Sequence, residues 1–103
     1  PGPRVEALVY VCDEFSPVEV DAPSLFALAE EDPLKLFDEY VRPFVEDCVG
    51  EVLGVEASTF FDPGVGLVVE YIARHGRGSI SAKLIYSPNP EEALAAYYAR
   101  RRP

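Results

Sequence analysis

The chain has 103 residues, 18 of them Asp or Glu against nine Lys or Arg, and its formal net charge is −9. Nucleic acids and anionic membranes attract proteins through clustered cations, so this charge disfavours both as partners. The 49% hydrophobic content is typical of a chain that folds around a core, and the length predicts one α+β domain over residues 1–103.

The acidic composition itself indicates a setting for the protein. Only Lys35 and Lys83 among the nine cations are lysines. Acid excess and a preference for arginine are expected of a host adapted to high salt or heat, and GC-rich coding would produce the same bias. Because salt screens repulsion between like charges, a salty environment would suit this chain.

The two cysteines and the single histidine limit the chemistry. Cys12 and Cys48 are too few for a disulfide framework and lack the spacing of a zinc or redox site. Each falls in an apolar register, so both are predicted to be buried thiols in a reducing cytoplasm. Apolar runs are short and the N-terminus lacks a basic, apolar signal segment, so we expect no membrane association.

The first half of the chain predicts one strand and then helices. Residues 4–12 are apolar on both faces, which is typical of an interior strand. Residues 13–22 hold four acids and Pro17, and they predict a loop or a short edge strand. Pro23 could open a short helix, and Asp32 is placed to cap a longer one. Pro43 should kink or break that longer helix.

The second half changes to a period of two. Residues 55–61, 66–73 and 79–86 alternate and are separated by short turns, so they predict an antiparallel meander. A last helix is predicted from Pro90 to about Arg101. The expected fold is therefore a two-layer α+β sandwich in the order β-α-β-β-β-α. It would have a four-stranded, mainly antiparallel sheet with helices mainly on one face. In the last strand Ser79, Ser81 and Lys83 share one face, which is expected to be wet.

From Asp32 onward this order of helix, three strands and helix resembles the double-stranded-RNA-binding domain, as does the segment LKLFDEYV. The resemblance implies an arrangement of elements over about two thirds of the chain. That family opens its second helix with lysines that grip phosphate. The corresponding positions here are Asn89, Pro90, Glu91 and Glu92, so the departure falls where the family binds RNA.

Two polar groups are candidates for chemistry. Arg74, His75 and Arg77 lie with two glycines at a predicted hairpin tip, which could contact an anion or a partner, or could simply be a solvated turn. Cys12 could form a dyad with His75, although the carboxylates that follow Cys12 oppose thiolate formation. No catalytic residue, metal ligand or cofactor site is predicted, because the acidic pairs lack the spacing of a calcium loop and no glycine-rich phosphate loop occurs.

The aromatic residues predict an interface. Adjacent rings at Phe60 and Phe61, and at Tyr97 and Tyr98, cannot all face one core. If Phe60 shared an outward face with Tyr71 or Tyr86, the sheet would carry an apolar patch suited to a protein partner. The alternative is that residues 23–28 cover this second face.

Three functions follow from these observations. The first is a cytoplasmic protein-interaction domain, such as a subunit or assembly factor, that self-associates through its sheet. The second is a small-molecule or anion-binding protein or enzyme that uses Cys12, His75 and the nearby arginines. The third is binding of structured RNA through Arg74, Arg77 and Arg100–Arg102.

Overall fold

The computed structural model describes residues 3–101, without the side chains at positions 97, 98, 100 and 101. Tyr97, Tyr98 and the Arg100–Arg102 group therefore lie outside the described side chains. The α+β class is confirmed. The elements are β1 (Arg4–Val11), β2 (Glu14–Asp21), α1 (Ala22–Glu31), α2 (Pro33–Leu36), a π-helical turn (Phe37–Val41), α3 (Arg42–Val49), β3 (Gly54–Asp62), β4 (Gly66–His75), β5 (Gly78–Tyr86) and α4 (Pro90–Arg101).

The sheet has five antiparallel strands in the order β2-β1-β5-β4-β3. The expected four strands and their order were wrong. Residues 14–21, for which a loop or a short edge strand was expected, form an edge strand of eight residues. The β1–β2 turn has no glycine. Instead Cys12 and Asp13 adopt φ values of 53° and 62°, the left-handed conformation that a two-residue hairpin turn requires. Without an Asn-Gly or Asp-Gly pair, and with Pro17 in the strand, the hairpin had no clear signal.

The helices begin where capping residues are found. Asp21 caps α1 by accepting the Ser24 N–H at 3.1 Å, and Asp32 caps α2 by accepting the Lys35 N–H at 3.2 Å. The predicted disruption by Pro43 takes a particular form. Because Pro43 has no N–H, the helix widens just before it, and the N–H of Arg42 bonds back to the carbonyl of Phe37.

The main core lies between the sheet and the helices that precede β3. Its buried members alternate along the strands and recur every three or four residues along the helices: Ala7, Val9, Val11, Val20, Leu25, Ala29, Leu36, Phe37, Val41, Val45, Val69, Tyr71, Ala73, Ala82 and Leu84. Tyr71 is fully buried at the centre of this core. Its ring contacts Phe37 at 5.0 Å between centroids, and its hydroxyl donates to the Pro33 carbonyl at 2.8 Å.

The second face of the sheet is partly covered, although by α4 and not by residues 23–28, which lie on the main face. Ala93 of α4 packs with Val65, Val68 and Ile85, and Tyr10 and Phe15 border this smaller cluster. The expected wet face of β5 is present at Ser79 and Ser81, which are exposed, but not at Lys83. Lys83 is only 5% exposed. Its ammonium group donates to Ser81 Oγ at 3.1 Å and lies 3.4 Å from the carboxylate of Glu70, so its charge is satisfied.

Among residues 3–101, no helix combines the length and the apolar character needed to cross a bilayer.

Tyr71 makes the stability of this core depend on pH. Burial raises the pKa of Tyr71 above its ordinary value. An unfolded tyrosine ionises near pH 10, so the contribution of Tyr71 to stability is complete below about pH 10 and is lost as pH rises further. We expect the free energy of unfolding, measured in urea, to fall above pH 10 and to fall less steeply in Tyr71→Phe. At neutral pH the variant should lose about 0.5–1.5 kcal/mol with its hydrogen bond. Identical slopes for the two proteins would contradict this role.

Candidate functional site

The predicted cationic tip is formed, but its side chains do not converge. The N–H of Arg77 donates to Nδ1 of His75 at 3.2 Å, so the histidine stabilises its own turn. Arg74 extends across the sheet instead. Its guanidinium group lies directly over Gly54, in space that a side chain at position 54 would occupy. Gly54 is thus the residue that lets Arg74 lie over β3. As consecutive strand residues, Arg74 and His75 lie on opposite faces of β4, so these two side chains do not converge on one ligand.

The prediction that Cys12 and Cys48 are buried thiols was wrong. Cys12, in the β1–β2 turn, and Cys48, near the end of α3, form a disulfide with Cα atoms 6.7 Å apart. Both residues are exposed. The sequence placed each in an apolar register but could not show that the turn and the helix meet. The paired sulfur of Cys12 carries no thiol, so the Cys12–His75 dyad has no nucleophile in this state.

A shallow cavity of about 310 Å³ adjoins the disulfide and is lined by Phe44 and Asp47 among others, but not by His75. Within the described part of the chain, no group of three or more His, Cys, Asp or Glu residues is placed to hold a metal ion.

The candidate interface residues Phe60, Tyr71 and Tyr86 do not share an outward face. Tyr71 faces the helices and is fully buried. Tyr86 lies on the same face, half-buried against the main core, where its ring meets Phe26 edge-on at 5.6 Å. Phe60 pairs with Val68 on the opposite face and is 42% exposed. The condition for an aromatic patch of Phe60 with Tyr71 or Tyr86 is therefore not met, and sequence alternation alone does not say which face the helices cover.

The exposed large hydrophobic side chains nevertheless gather in one place. The described residues contain six of them, namely Phe26, Leu34, Leu53, Phe60, Phe61 and Ile72. Phe60 and Phe61 lie on β3, Leu53 directly precedes it, and Ile72 is the β4 partner of Glu56 in β3. Leu34 and Phe26 line cavities shared with β3. We call β3 together with these six side chains the β3 rim.

Two grooves flank the β3 rim on the helical face. The larger, about 530 Å³, lies beside the C-terminal half of β3, with Phe26, Pro33, Thr59 and Phe61 among its walls. Thr59 helps to hold α1 there by donating to the Ala29 carbonyl at 2.7 Å. The smaller groove, about 220 Å³, lies beside the N-terminal half of β3 and is lined by Leu34, Phe37, Asp38, Arg42, Val52, Leu53, Gly54 and Val55.

The two edge strands, β2 and β3, differ in the residues that could prevent them from pairing with another chain. Edge strands commonly carry proline and charged residues that prevent pairing with other chains. β2 has Pro17 and the acids Glu14 and Glu19. β3 carries Glu56 and Asp62 but no proline and no lysine, and its stretch from Ser58 to Phe61 is exposed at every position. β3 therefore lacks the proline that interrupts the β2 edge, and it is the edge more open to another strand.

Sequence reasoning found only part of this rim. It singled out Phe60 and noted that the neighbouring Phe61 had to face the other way. It missed Phe26, Leu34, Leu53 and Ile72, since nothing local links residues so far apart in the chain. The available signal was the Phe60–Phe61 pair, which exposes one ring on each face of a strand.

Comparisons with family models, curated proteins and solved structures found no match to this chain.

The disulfide should be a major source of stability. It closes a loop across a sequence separation of 36 residues. A cross-link of that span lowers the entropy of the unfolded chain, and the chain-entropy relation gives about 3–4 kcal/mol. We expect reduction to lower the free energy of unfolding by this amount.

The double variant Cys12→Ser/Cys48→Ser provides the control. It should match the reduced protein in denaturant and be insensitive to added reductant. Equal unfolding midpoints for the oxidised and reduced wild-type protein would contradict the assignment.

Proposed function

We propose that this protein is a small acidic protein-interaction domain that self-associates through the β3 rim. The observation that carries the proposal is the concentration of all six exposed large hydrophobic side chains of the described residues around one edge strand that contains no proline. Scattered exposed hydrophobic residues need no explanation, whereas a set gathered on both faces of one edge strand is typical of a protein contact.

Strand pairing is the mode of contact that this geometry supports. An added strand would satisfy the outward N–H and C=O groups of β3, and side chains on alternate faces would enter the flanking grooves. Phe61, which is 71% exposed, has the most to gain from such burial. A second copy of the chain is a suitable partner because a two-fold contact between two β3 strands closes on itself. The remaining edges of the pair would be the β2 strands, blunted by Pro17 and their acids.

The charge of the chain bears on this proposal. Two copies at −9 repel each other, and salt screens that repulsion. Self-association should therefore strengthen as salt rises. This behaviour would fit the high-salt host that the composition indicates, and the same charge disfavours a nucleic-acid partner.

The Cys12–Cys48 disulfide is the basis for the cellular location that we propose. The sequence favoured the cytoplasm because it gave no reason to pair the cysteines. Disulfides persist in oxidising compartments and are rare in the cytosol outside hyperthermophiles. We therefore propose a setting in which the Cys12–Cys48 bond persists, either an oxidising compartment or the cytoplasm of a hyperthermophile.

Replacement of Phe61 by lysine tests the proposal. Burial of a phenylalanine stabilises a contact by about 1.5–3 kcal/mol, and a symmetric dimer contains the residue twice. Phe61→Lys should therefore raise the dimer Kd by roughly 10²-fold or more, as measured by light scattering on a size-exclusion column over a range of protein concentrations in high salt.

Glu19→Gln, on the opposite edge strand, is the matched control, because it changes the net charge by the same +1. It should leave the Kd within about twofold of wild type, since a single exposed charge contributes little. A wild-type protein that stays monomeric at every concentration and salt level would refute the proposal.

A further inference from the structure

We propose that two copies pair through antiparallel β3 strands centred on Ser58, and that the register is fixed by Arg74 of each copy meeting Asp62 of the other. This inference rests on the proposed self-association and adds its geometry and its specificity. Its basis is the distribution of charge and apolar surface along β3. One end of the strand carries the Arg74 guanidinium over Gly54, and the other end terminates in the carboxylate of Asp62.

The charged ends are complementary under antiparallel pairing. With Ser58 opposite Ser58, all nine residues of β3 find partners, and Gly54 lies opposite Asp62. Residues opposite each other in antiparallel strands face the same side. Gly54 and Arg74 are register partners, so the guanidinium and the incoming carboxylate lie on one face. Two-fold symmetry forms this pair twice. Arg74 has no ion pair with any carboxylate among residues 3–101, so its charge is available.

Asp62 also has a role within its own chain, where Oδ1 accepts the Gly64 N–H at 2.9 Å. A carboxylate has about four acceptor positions, so contacts within the chain and a contact with Arg74 of a second copy are compatible. The Gly64 contact also positions the carboxylate at the end of the strand. An arginine can then bind it with defined geometry.

The apolar surfaces match in the same register. Phe61 lies opposite Val55 of the second copy, and both face the helical side. Val55 borders the groove of about 220 Å³ that Leu34 and Leu53 also line, and these two leucines are 46% and 57% exposed. The most exposed phenylalanine of one copy thus meets the exposed leucines of the other. On the second face Phe60 lies opposite Glu56, whose β4 neighbour is the exposed Ile72.

Neighbouring registers are less favourable. Centring the pair on Thr59 would set Glu56 opposite Asp62 twice, and like charges directly opposite destabilise a sheet. Centring it on Ala57 would leave Phe61 and Asp62 beyond the end of the other strand. A shift of one residue would set Phe61 opposite Glu56 and turn the helical layers of the two copies to opposite faces of the sheet. In the Ser58 register the two Glu56 side chains are four residues apart along the strands, about 13 Å, which exceeds the Debye length at moderate salt.

A charge exchange between two variants tests this register. Arg74→Asp and Asp62→Lys each place like charges at both ends of a homodimer, so each should raise the dimer Kd about tenfold or more. In an equimolar mixture, Asp at position 74 of one copy meets Lys at position 62 of the other, and the untouched Arg74 and Asp62 meet at the second end. The mixture should therefore form heterodimers with a Kd within about threefold of wild type, measured by sedimentation velocity with one variant fluorescently labelled.

Folding is checked separately. Circular dichroism and urea unfolding should show each variant to be folded alone. Asp62→Asn keeps the oxygen that accepts from Gly64 and removes only the charge, so it should weaken the dimer by a smaller factor than Asp62→Lys.

Two adverse results can be told apart. If the wild-type protein dimerises, Phe61→Lys abolishes the dimer, and both charge variants associate like wild type with no preference on mixing, the register is wrong while the proposed function stands. If the wild-type protein never dimerises, the proposed function itself fails and the register fails with it.

Discussion

The position of β1 in the sheet is the constraint on which the rest of this structure depends. β1 pairs with β2 on one side and with β5 on the other, so the first hairpin closes one end of the β3–β4–β5 meander. The opposite end of the sheet is then β3, a strand with exposed side chains on both faces and no proline. Had β1 paired with β3, the phenylalanines of β3 would lie inside the sheet. The choice of neighbour for β1 therefore determines which surface remains for a partner.

The helices cover one face of the sheet and border the open β3 edge. The capping aspartates fix where α1 and α2 begin. The π-helical turn before Pro43 lets the helical segment continue past the proline while it stays packed on the sheet. Phe37, within that turn, contacts Tyr71 at the centre of the main core. The Cys12–Cys48 bond ties α3 to the turn of the first hairpin. These interactions hold β1 and the helices in place and leave β3 bordered by grooves.

Local patterns were sufficient for most individual elements but not for their arrangement. The meander, the interior position of β1, the capping at Asp32 and the last helix followed from alternation, turn residues and helix-start signals, all of which act over a few residues. The number of strands did not, because β2 turns through two non-glycine residues in left-handed conformations and carries Pro17. Whether Tyr71 is buried or exposed depends on which face of the sheet the helices cover. Pairing of the cysteines depends on a contact between residues 36 positions apart in the chain. The β3 rim likewise brings together residues from α1, α2, β3 and β4. Neither feature can be read from a local sequence pattern.

Hydrogen exchange of the β3 backbone as a function of protein concentration tests the central claim most directly. If β3 is the self-association edge, amides between Gly54 and Asp62 that point away from β4 should gain protection as concentration rises, while those of the β2 edge exchange at an unchanged rate. Protection of the β3 amides that does not vary with concentration, in a sample whose mass shows dimers, would place the contact elsewhere and contradict the account.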